Sequence, residues 1–581
     1  MKEITFKNNN KRNIKLWLLA LTSAIMLSLP FLLPHMGLIA LFAFVPLLAA
    51  EDIATQNGKR HFWIYYYSTF LIWNLATTYW IYNATLPGMI AAVLLNALQM
   101  AIVFRLFRWM RSLTQGFLPY LFLIVGWLAW EHAYFNWDVS WPWLVLGNSF
   151  ATSIKTIQWY EYTGTLGGSL WVLLVNTLIF RLMKLKVQGS SVKLSALSAA
   201  LVIVLPIVAS HIIFYKYKEP FFDPSSSSGS RQFTLLQPNI DPYTDKFYGM
   251  TQSQQNNLLL DLSRRALDNN RVGAAVTKVA DTIQYKRKPA PSYFILAPET
   301  FISRRPLINE DIPQDNPSFT RFRDYIQEIN GTGKNFNMII GAVTDDFYYG
   351  YNQLDKDGLP IPPTETARYL EQGNLWYDRA NTAIFIDSKG EYEFYHKSKL
   401  VVLVESTPYK KFFNLMGRFA IDLGGAIGSY ATQKEREVFV TEDSVKIGTA
   451  ICYESVYGDY YREYILKGAQ VMSIITNDGW WGDTPGYHQH LSYASLRAIE
   501  TRRSIARCAN TGISAFINQR GEIIAQTEWW KPAYLSASLP LNDKLTLFVR
   551  HGDIAGRVSQ FVFVLFLLMG TAARIRLIRH S

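Results

Sequence analysis

A thiol, a carboxylate and an ammonium each stand at the end of an apolar run in this sequence. "VKIGTAICYE" ends on Cys452, with Tyr453 and Glu454 directly behind it; "YFILAPET" delivers Glu299; "YEFYHKSKL" delivers Lys397. Such runs read as buried strands, and ligands and reacting groups gather at the carboxyl ends of strands in α/β sheets. Taken singly, each residue has a plain explanation. A lone strand cysteine is most often a small buried hydrophobe, and a strand-end Glu or Lys is most often solvated or paired. Taken together they can carry out acyl chemistry. The carboxylate takes the thiol proton, because a free thiol is only a few per cent thiolate at neutral pH. The lysine stabilises the oxyanion of a tetrahedral intermediate, helped by the backbone N–H after the cysteine. No histidine is required.

These groups need a scaffold of strands. "QFTLLQ" (232–237), "YFILA" (293–297), "MIIGAV" (338–343), "TAIFI" (382–386), "VKIGTAI" (445–451), "VMSIIT" (471–476) and "ISAFIN" (513–518) all read as buried strands. Helices are predicted between them over 252–268, 317–329, 456–467 and 488–507. The last would carry Arg497, Arg502, Arg503 and Arg507, pairing with Glu500 or touching the sheet, with Cys508 buried and inert at its end. The stretch 344–378, rich in Tyr, Asp, Gly and Pro, reads as an inserted surface loop. Residues 232–556 therefore form one α/β domain, joined by a flexible linker over 216–231 that includes "DPSSSSGSR".

The rest of the chain is built for a bilayer. Of its 581 residues, 49% are hydrophobic and only 18% are charged, which is low for a soluble protein of this size. Apolar runs near 14–33, 36–50, 62–83, 87–107, 117–135, 160–183, 195–215 and 558–573 are each close to the roughly 20 residues that span a membrane. This gives an N-terminal transmembrane domain of about seven spans over 1–215 and a final span with its tail over 557–581. Lys and Arg crowd every second loop: Lys11, Arg12 and Lys15 before the first span, Arg105, Arg108 and Arg111 after the fourth, Arg181, Lys184 and Lys186 after the sixth, and Arg574, Arg576 and Arg579 at the end. By the positive-inside rule both termini are cytoplasmic and the α/β domain lies outside the cytoplasm. The first span has no small-residue cleavage site and is expected to be retained.

The same distribution accounts for the net charge of +12: the charges edge apolar runs, and no RNA-binding or helix-turn-helix signature accompanies them. No nucleic-acid partner is expected. Two cysteines allow at most one disulfide, and the absence of CxxC leaves zinc ribbons out. "HQH" (488–490) near Asp483 lacks a third nitrogen or sulfur ligand, so no metal is expected there.

"LLQPNI" (235–240), "APET" (297–300), "YHKSKLVVLVES" (395–406), "ICYES" (451–455), "TNDGWWGDTPGYHQHL" (476–491) and "RRSIARCANTGISAFINQRG" (502–521) together resemble the carbon–nitrogen hydrolase (nitrilase) superfamily. More closely, the chain resembles the apolipoprotein N-acyltransferase family of bacterial membrane enzymes, including "WPWLVLGNS" (141–149) between the fifth and sixth spans. The resemblance implies an αββα sandwich outside the membrane. It also implies Glu299 as general base, Lys397 as oxyanion partner and Cys452 as nucleophile. Glu405, Tyr453, Glu454 and Trp480 match residues of the substrate pocket, and the spacing to Leu400 and Glu405 favours Lys397 over Lys399. The chain departs from the family where Lys399 and Val402-Leu403-Val404 replace a histidine and Pro-Phe-Gly before Glu405, and where Lys246-Phe247 replaces Lys-Trp.

The activity implied is transfer of an acyl chain from a membrane phospholipid, through a Cys452 thioester, to the N-terminal amine of a diacylglyceryl prolipoprotein. Outside the cytoplasm no ATP is expected, so the energy for making an amide must come from an existing acyl ester, and a site held at the bilayer can reach one. The expected setting is a bacterial inner membrane, with the catalytic domain periplasmic, the protein a monomer and no cofactor. A membrane-tethered amidase of the nitrilase kind would share the triad and release its product to water. A transporter or lipid-handling protein that has lost catalysis is disfavoured by the intact Cys452, Glu299 and Lys397.

Overall fold

Every apolar run predicted to cross a membrane is helical. The computed structural model describes residues 2–58, 61–217, 229–271, 291–331, 333–358, 360–402, 404–406 and 429–580, so most of the predicted linker lies outside the described residues. The chain forms two compact units: Met1–Tyr217 with Asp483–Leu496 and Thr546–Ser581, and Lys218–Gly482 with Arg497–Leu545.

The first unit contains α1 (Lys2–Leu32), α2 (Val45–Gln56), α3 (Trp63–Thr78), α4 (Leu86–Leu113), α5 (Leu118–Tyr134), α6 (Tyr160–Val187), α7 (Lys193–Lys216) and the terminal helix Ile554–His580. Among the described residues six stretches are long and apolar enough to cross a membrane: Asn10–Leu32, Gly37–Gln56, Leu86–Leu113, Tyr160–Val187, Lys193–Lys216 and Ile554–Arg579. The two other predicted runs form the shorter helices α3, of 16 residues, and α5, of 17.

Without water, each backbone group freed by a helix break needs an internal partner. At the break before α2, the Asn176 amide oxygen accepts from Phe44 N at 2.7 Å and its NH₂ donates to Ala40 O at 2.8 Å. Gln489, the middle residue of "HQH", serves the same purpose. It accepts from the indoles of Trp143 (2.6 Å) and Trp80 (3.3 Å), and donates to the carbonyls of Phe31 (3.0 Å) and Thr77 (3.2 Å). At the end of α2, Glu51 meets Arg108 at 3.4 Å and Asp52 meets Lys184 at 3.0 Å, while Arg111 pairs with both acids. The basic residues in the last turns of α4 and Lys184 near the end of α6 thus meet the two acids of α2.

The second unit holds two sheets. Its strands are β1 (Ser230–Gln237), β2 (Ser292–Leu296), β3 (Ile308–Asn309), β4 (Asn335–Tyr348), β5 (Arg368–Leu370), β6 (Leu375–Ile386), β7 (Tyr392–His396), β8 (Val438–Val440), β9 (Lys446–Ile451), β10 (Val471–Thr476), β11 (Ile505–Ala509), β12 (Ala515–Ile517), β13 (Ile523–Gln526) and β14 (Ala533–Pro540). One sheet runs β14-β1-β2-β4-β6-β5, with β3 on β4 and β7 on β6; the other runs β13-β12-β11-β10-β9-β8. In each sheet three neighbouring strands are parallel: β1, β2 and β4 in the first, β9, β10 and β11 in the second. Helices α8 (Gln252–Arg271) and α9 (Pro317–Asn330) cover the first sheet, burying Leu259, Leu260, Phe319 and Phe322 against Ile295, Met338 and Ile384.

Two expectations fail. The stretch 344–378 is not simply a loop: β4 extends to Tyr348 and β6 begins at Leu375, pairing antiparallel from Tyr348↔Trp376 through Asp345↔Arg379. Its polar residues satisfy one another across this extension. Arg379 donates to Asp345 at 2.7 Å, and Tyr348, Thr364 and Thr366 all donate to Asp378. The helix predicted over 488–507 stops at Thr501, and Arg502 turns left-handed at φ 49°. Residues 505–509 are strand β11, so Arg507 and Cys508 sit on a strand, not a helix. Buried arginines interleaved with small residues imitated an amphipathic helix; Arg507 in fact faces the buried Asp478. Arg497 does pair with Glu500, at 2.9 Å.

Candidate active site

Glu299, Lys397 and Cys452 follow the carboxyl ends of β2, β7 and β9, and all three are buried, at 6%, 1% and 7% exposure. Lys397 is the hub. Its Nζ donates to Glu299 Oε1 at 2.9 Å and lies 3.0 and 2.9 Å from the two oxygens of Glu405. Asn381 on β6, which no sequence pattern singles out, donates through Nδ2 to both acids, at 2.9 Å each. The other Glu299 oxygen accepts from Asn477 N at 3.2 Å, and the other Glu405 oxygen from Val401 N at 2.8 Å. Glu405 thus joins the cluster despite the altered residues before it; of those, Leu403 lies outside the described residues.

Two left-handed residues lie at the cluster. Cys452 has φ 50° and Thr300, next to Glu299, has φ 49°, conformations that cost a non-glycine residue about 1–3 kcal/mol and persist only where the surroundings impose them. Beneath Glu299, a Cβ added at Gly341 would lie 2.5 Å from the Glu299 Cα and from the Pro298 carbonyl. Only glycine lets β4 approach that closely.

The surroundings shift all three groups from their ordinary values. Burial, then the Glu299 carboxylate, push the Cys452 thiol well above its ordinary value, against the pull of the Lys397 ammonium. Burial alone would raise Glu299, but the charge and hydrogen bond of Lys397, the Asn381 amide and the charge of Lys246 hold it below the usual range. Burial would likewise strip Lys397 of its proton, but Glu299, Glu405 and the cysteine sulfur raise it well above the ordinary value. A carboxylate, an ammonium and a thiol stand together.

The other predicted residues fall around this core. Glu454 bridges two strand ends, accepting from Ile451 N at 2.8 Å and Ser398 N at 2.6 Å, the neighbours of Cys452 and Lys397. Tyr395 and Tyr460 also donate to it, so it fixes the framework that carries Cys452. Tyr453 is buried, edge-on to Tyr457 at 5.2 Å. Trp480 is half-buried and packs edge-to-face with Tyr243 at 5.4 Å. Lys399 is not in the cluster: its Nζ sits over the rings of Tyr457 and Tyr460 at 4.9 and 5.9 Å. Also unforeseen is Thr476, which hydrogen-bonds the Cys452 sulfur and donates to Asp478 at 2.8 Å, itself held by Arg507.

Comparison with known proteins gives a consistent picture. The family model for carbon–nitrogen hydrolases matches residues 359–544, and that for the apolipoprotein N-acyltransferase N-terminal domain matches residues 23–178. The first span includes Lys397, Glu405 and Cys452 but not Glu299, whose place rests on the geometry above. An apolipoprotein N-acyltransferase of Chlorobaculum tepidum is 27% identical over 532 residues, 90% of each chain. One of Geobacter metallireducens is 25% identical over 550 residues, 93% of this chain and 92% of its own. Among solved structures, an amidase from Nesterenkonia sp. aligns at 16% identity with a TM-score of 0.33, over 56% of this chain and 94% of its own, a likeness too distant to carry any argument.

Proposed function

We propose a function from one premise: the chain belongs to the apolipoprotein N-acyltransferase family. It N-acylates lipoproteins in a membrane, and its donor is a phospholipid. As Cys452 Sγ attacks the ester carbonyl carbon, Glu299 takes the thiol proton and the developing oxyanion meets Lys397 Nζ and the Tyr453 N–H. The intermediate collapses by breaking the ester C–O bond. Glu299 returns the proton to the departing lysophospholipid oxygen, and the acyl chain stays on sulfur as a thioester. The N-terminal amine of a diacylglyceryl prolipoprotein then attacks that carbonyl and gives its proton to Glu299. The C–S bond breaks and the thiolate is reprotonated. Sulfur divides one hard transfer into two easier ones. Glu405 and Asn381 hold Lys397 and Glu299 in register throughout.

The observation that carries this reading is the buried Lys397 bridging Glu299 and Glu405, with its charge felt at the Cys452 sulfur. The test is the lifetime of the acyl adduct. Purified protein given phospholipid should gain the mass of one acyl chain, keep it in acceptor-free buffer and lose it when a diacylglyceryl-cysteine peptide is added. Rapid loss as free fatty acid without acceptor would identify a tethered hydrolase instead.

The proposed setting is a bacterial inner membrane with both termini cytoplasmic and the catalytic domain periplasmic, supported by the alternation of Lys and Arg between loops. A reporter fused after Lys186 should read cytoplasmic and one fused after Tyr217 periplasmic. A cytoplasmic reading after Tyr217 would remove the argument for an ATP-free donor.

A further inference from the structure

A second lysine lies under the catalytic turn. Lys246 is 2% exposed, its Nζ donates to Thr300 Oγ1 at 2.7 Å, and it lies 3.4 Å from the Glu299 carbonyl oxygen. Its own main chain is pinned on both sides: its N–H donates to Asp241 O at 2.8 Å, and the Gln255 amide donates to its carbonyl at 2.8 Å. Burying an ammonium costs far more than burying a hydrocarbon of the same length. Burial does depress it, to about 8, with the Glu299 charge opposing. A cation kept at that cost needs a role, and its contacts supply one. Thr300 is β-branched at φ 49°, a conformation its own side chain disfavours. Gly341 admits β4 from one side of this turn, and Lys246 grips its hydroxyl from another.

We propose that Lys246 is a positioning residue for the general base: its ammonium holds the strained Glu299–Thr300 turn and keeps the Glu299 carboxylate ionised and aimed at Cys452. This rests on Glu299 acting as base in the proposed acylation. The charges acting on Glu299 are Lys397 and Lys246, with Glu405 behind Lys397 and Cys452 opposite; Asn381 and Asn477 N contact it as neutral donors. Removing the Lys246 charge removes one of two cations that favour the carboxylate.

The test is single-turnover acylation of Cys452, read by intact mass, with the full-length protein in detergent and a dipalmitoyl phospholipid across about pH 3 to 8, a range that brackets a carboxylate held below its ordinary value. Lys246→Met should slow acylation at least about tenfold and move its acid limb upward by about one pH unit. Thr300→Val, which removes a hydroxyl but no charge, should slow acylation and leave the limb in place. A merely structural lysine would lower the rate without moving the limb, and that result, or a parental rate and limb in Lys246→Met, overturns the proposal. If Lys246→Met does not fold, Thr300→Val decides: parental acylation overturns the grip on the turn, and a slowed rate supports it. Glu299→Gln separates the two levels. Parental acylation in that variant sinks the general-base reading itself, whereas a slow Glu299→Gln beside a normal Lys246→Met overturns only the role of Lys246.

Discussion

Cys452→Ala should never acquire acyl mass from phospholipid, at any pH or incubation time, while Cys508→Ala should acylate like the parent. The two thiols are both buried and outside any disulfide, yet their surroundings differ in kind. Cys508 lies on β11 with Sγ 3.2 and 3.3 Å from the carbonyls of Leu236 and Leu296, and burial pushes its thiol up to about 12. Among the described residues it has no carboxylate base beside it and no cation placed for an oxyanion, since the neighbouring Arg507 is paired with Asp478. Cys452 has both. Glu299→Gln should still acylate, but slowly, because general-base assistance is typically worth about 10²–10⁴ in rate. The loss should fall near the lower end of that range. The Glu299 carboxylate is also one of the causes that raise the Cys452 thiol, and without it the Lys397 ammonium stabilises the thiolate with less opposition, so that solvent can take the proton more easily. The adduct that does form should be cleaved by hydroxylamine, as a thioester is. An acyl adduct on Cys452→Ala would place the nucleophile elsewhere.

The three strand ends were legible because each is a short apolar run with one polar residue behind it, a pattern that survives without knowing which strands pair. β10 runs over the very residues predicted, Val471–Thr476. Asn381 was not legible, because an amide inside "NTAIFI" carries no chemical signature of its own. Its role exists only once β6 lies between β4 and β7, so that the Lys397 N–H reaches the Asn381 carbonyl at 2.8 Å and its amide faces both acids. Gly341 was silent for the same reason: the Glu299 turn that it admits lies about 40 residues earlier in sequence and only spatially adjacent. The segment 501–509 misled because buried arginines satisfied by carbonyls, such as Arg503 on Ala469 O at 2.6 Å, look in sequence like the polar face of a helix. Lys246 drew notice only as the residue before Phe247, where the family has Lys-Trp, since a buried ammonium cannot be told from an exposed one by spacing.

The sharpest contrast is expected between two lysines two residues apart. Lys397→Met should lower single-turnover acylation by at least about 10²–10³, the usual cost of one oxyanion donor. A second effect adds to it. Glu299 and Glu405 both accept from Lys397 and share Asn381. Without the cation two buried carboxylates face each other, and like charges drive one to hold a proton. If Glu299 is the one protonated, the base is lost with the oxyanion donor, and raising the pH should recover part of the rate but never all of it. Removing one partner of a buried ion pair typically costs about 3–5 kcal/mol of stability, so a melting curve must accompany the kinetics. Lys399→Met removes only a cation resting on Tyr457 and Tyr460, typically worth about 0.5–2 kcal/mol, and Arg436 still covers Tyr460 at 4.0 Å. Its acylation rate should stay within a few-fold of the parent. Equal losses in the two variants, both folded, would mean that the lysine over the tyrosines is needed as much as the one between the carboxylates, and the oxyanion role could not then be assigned to Lys397 alone.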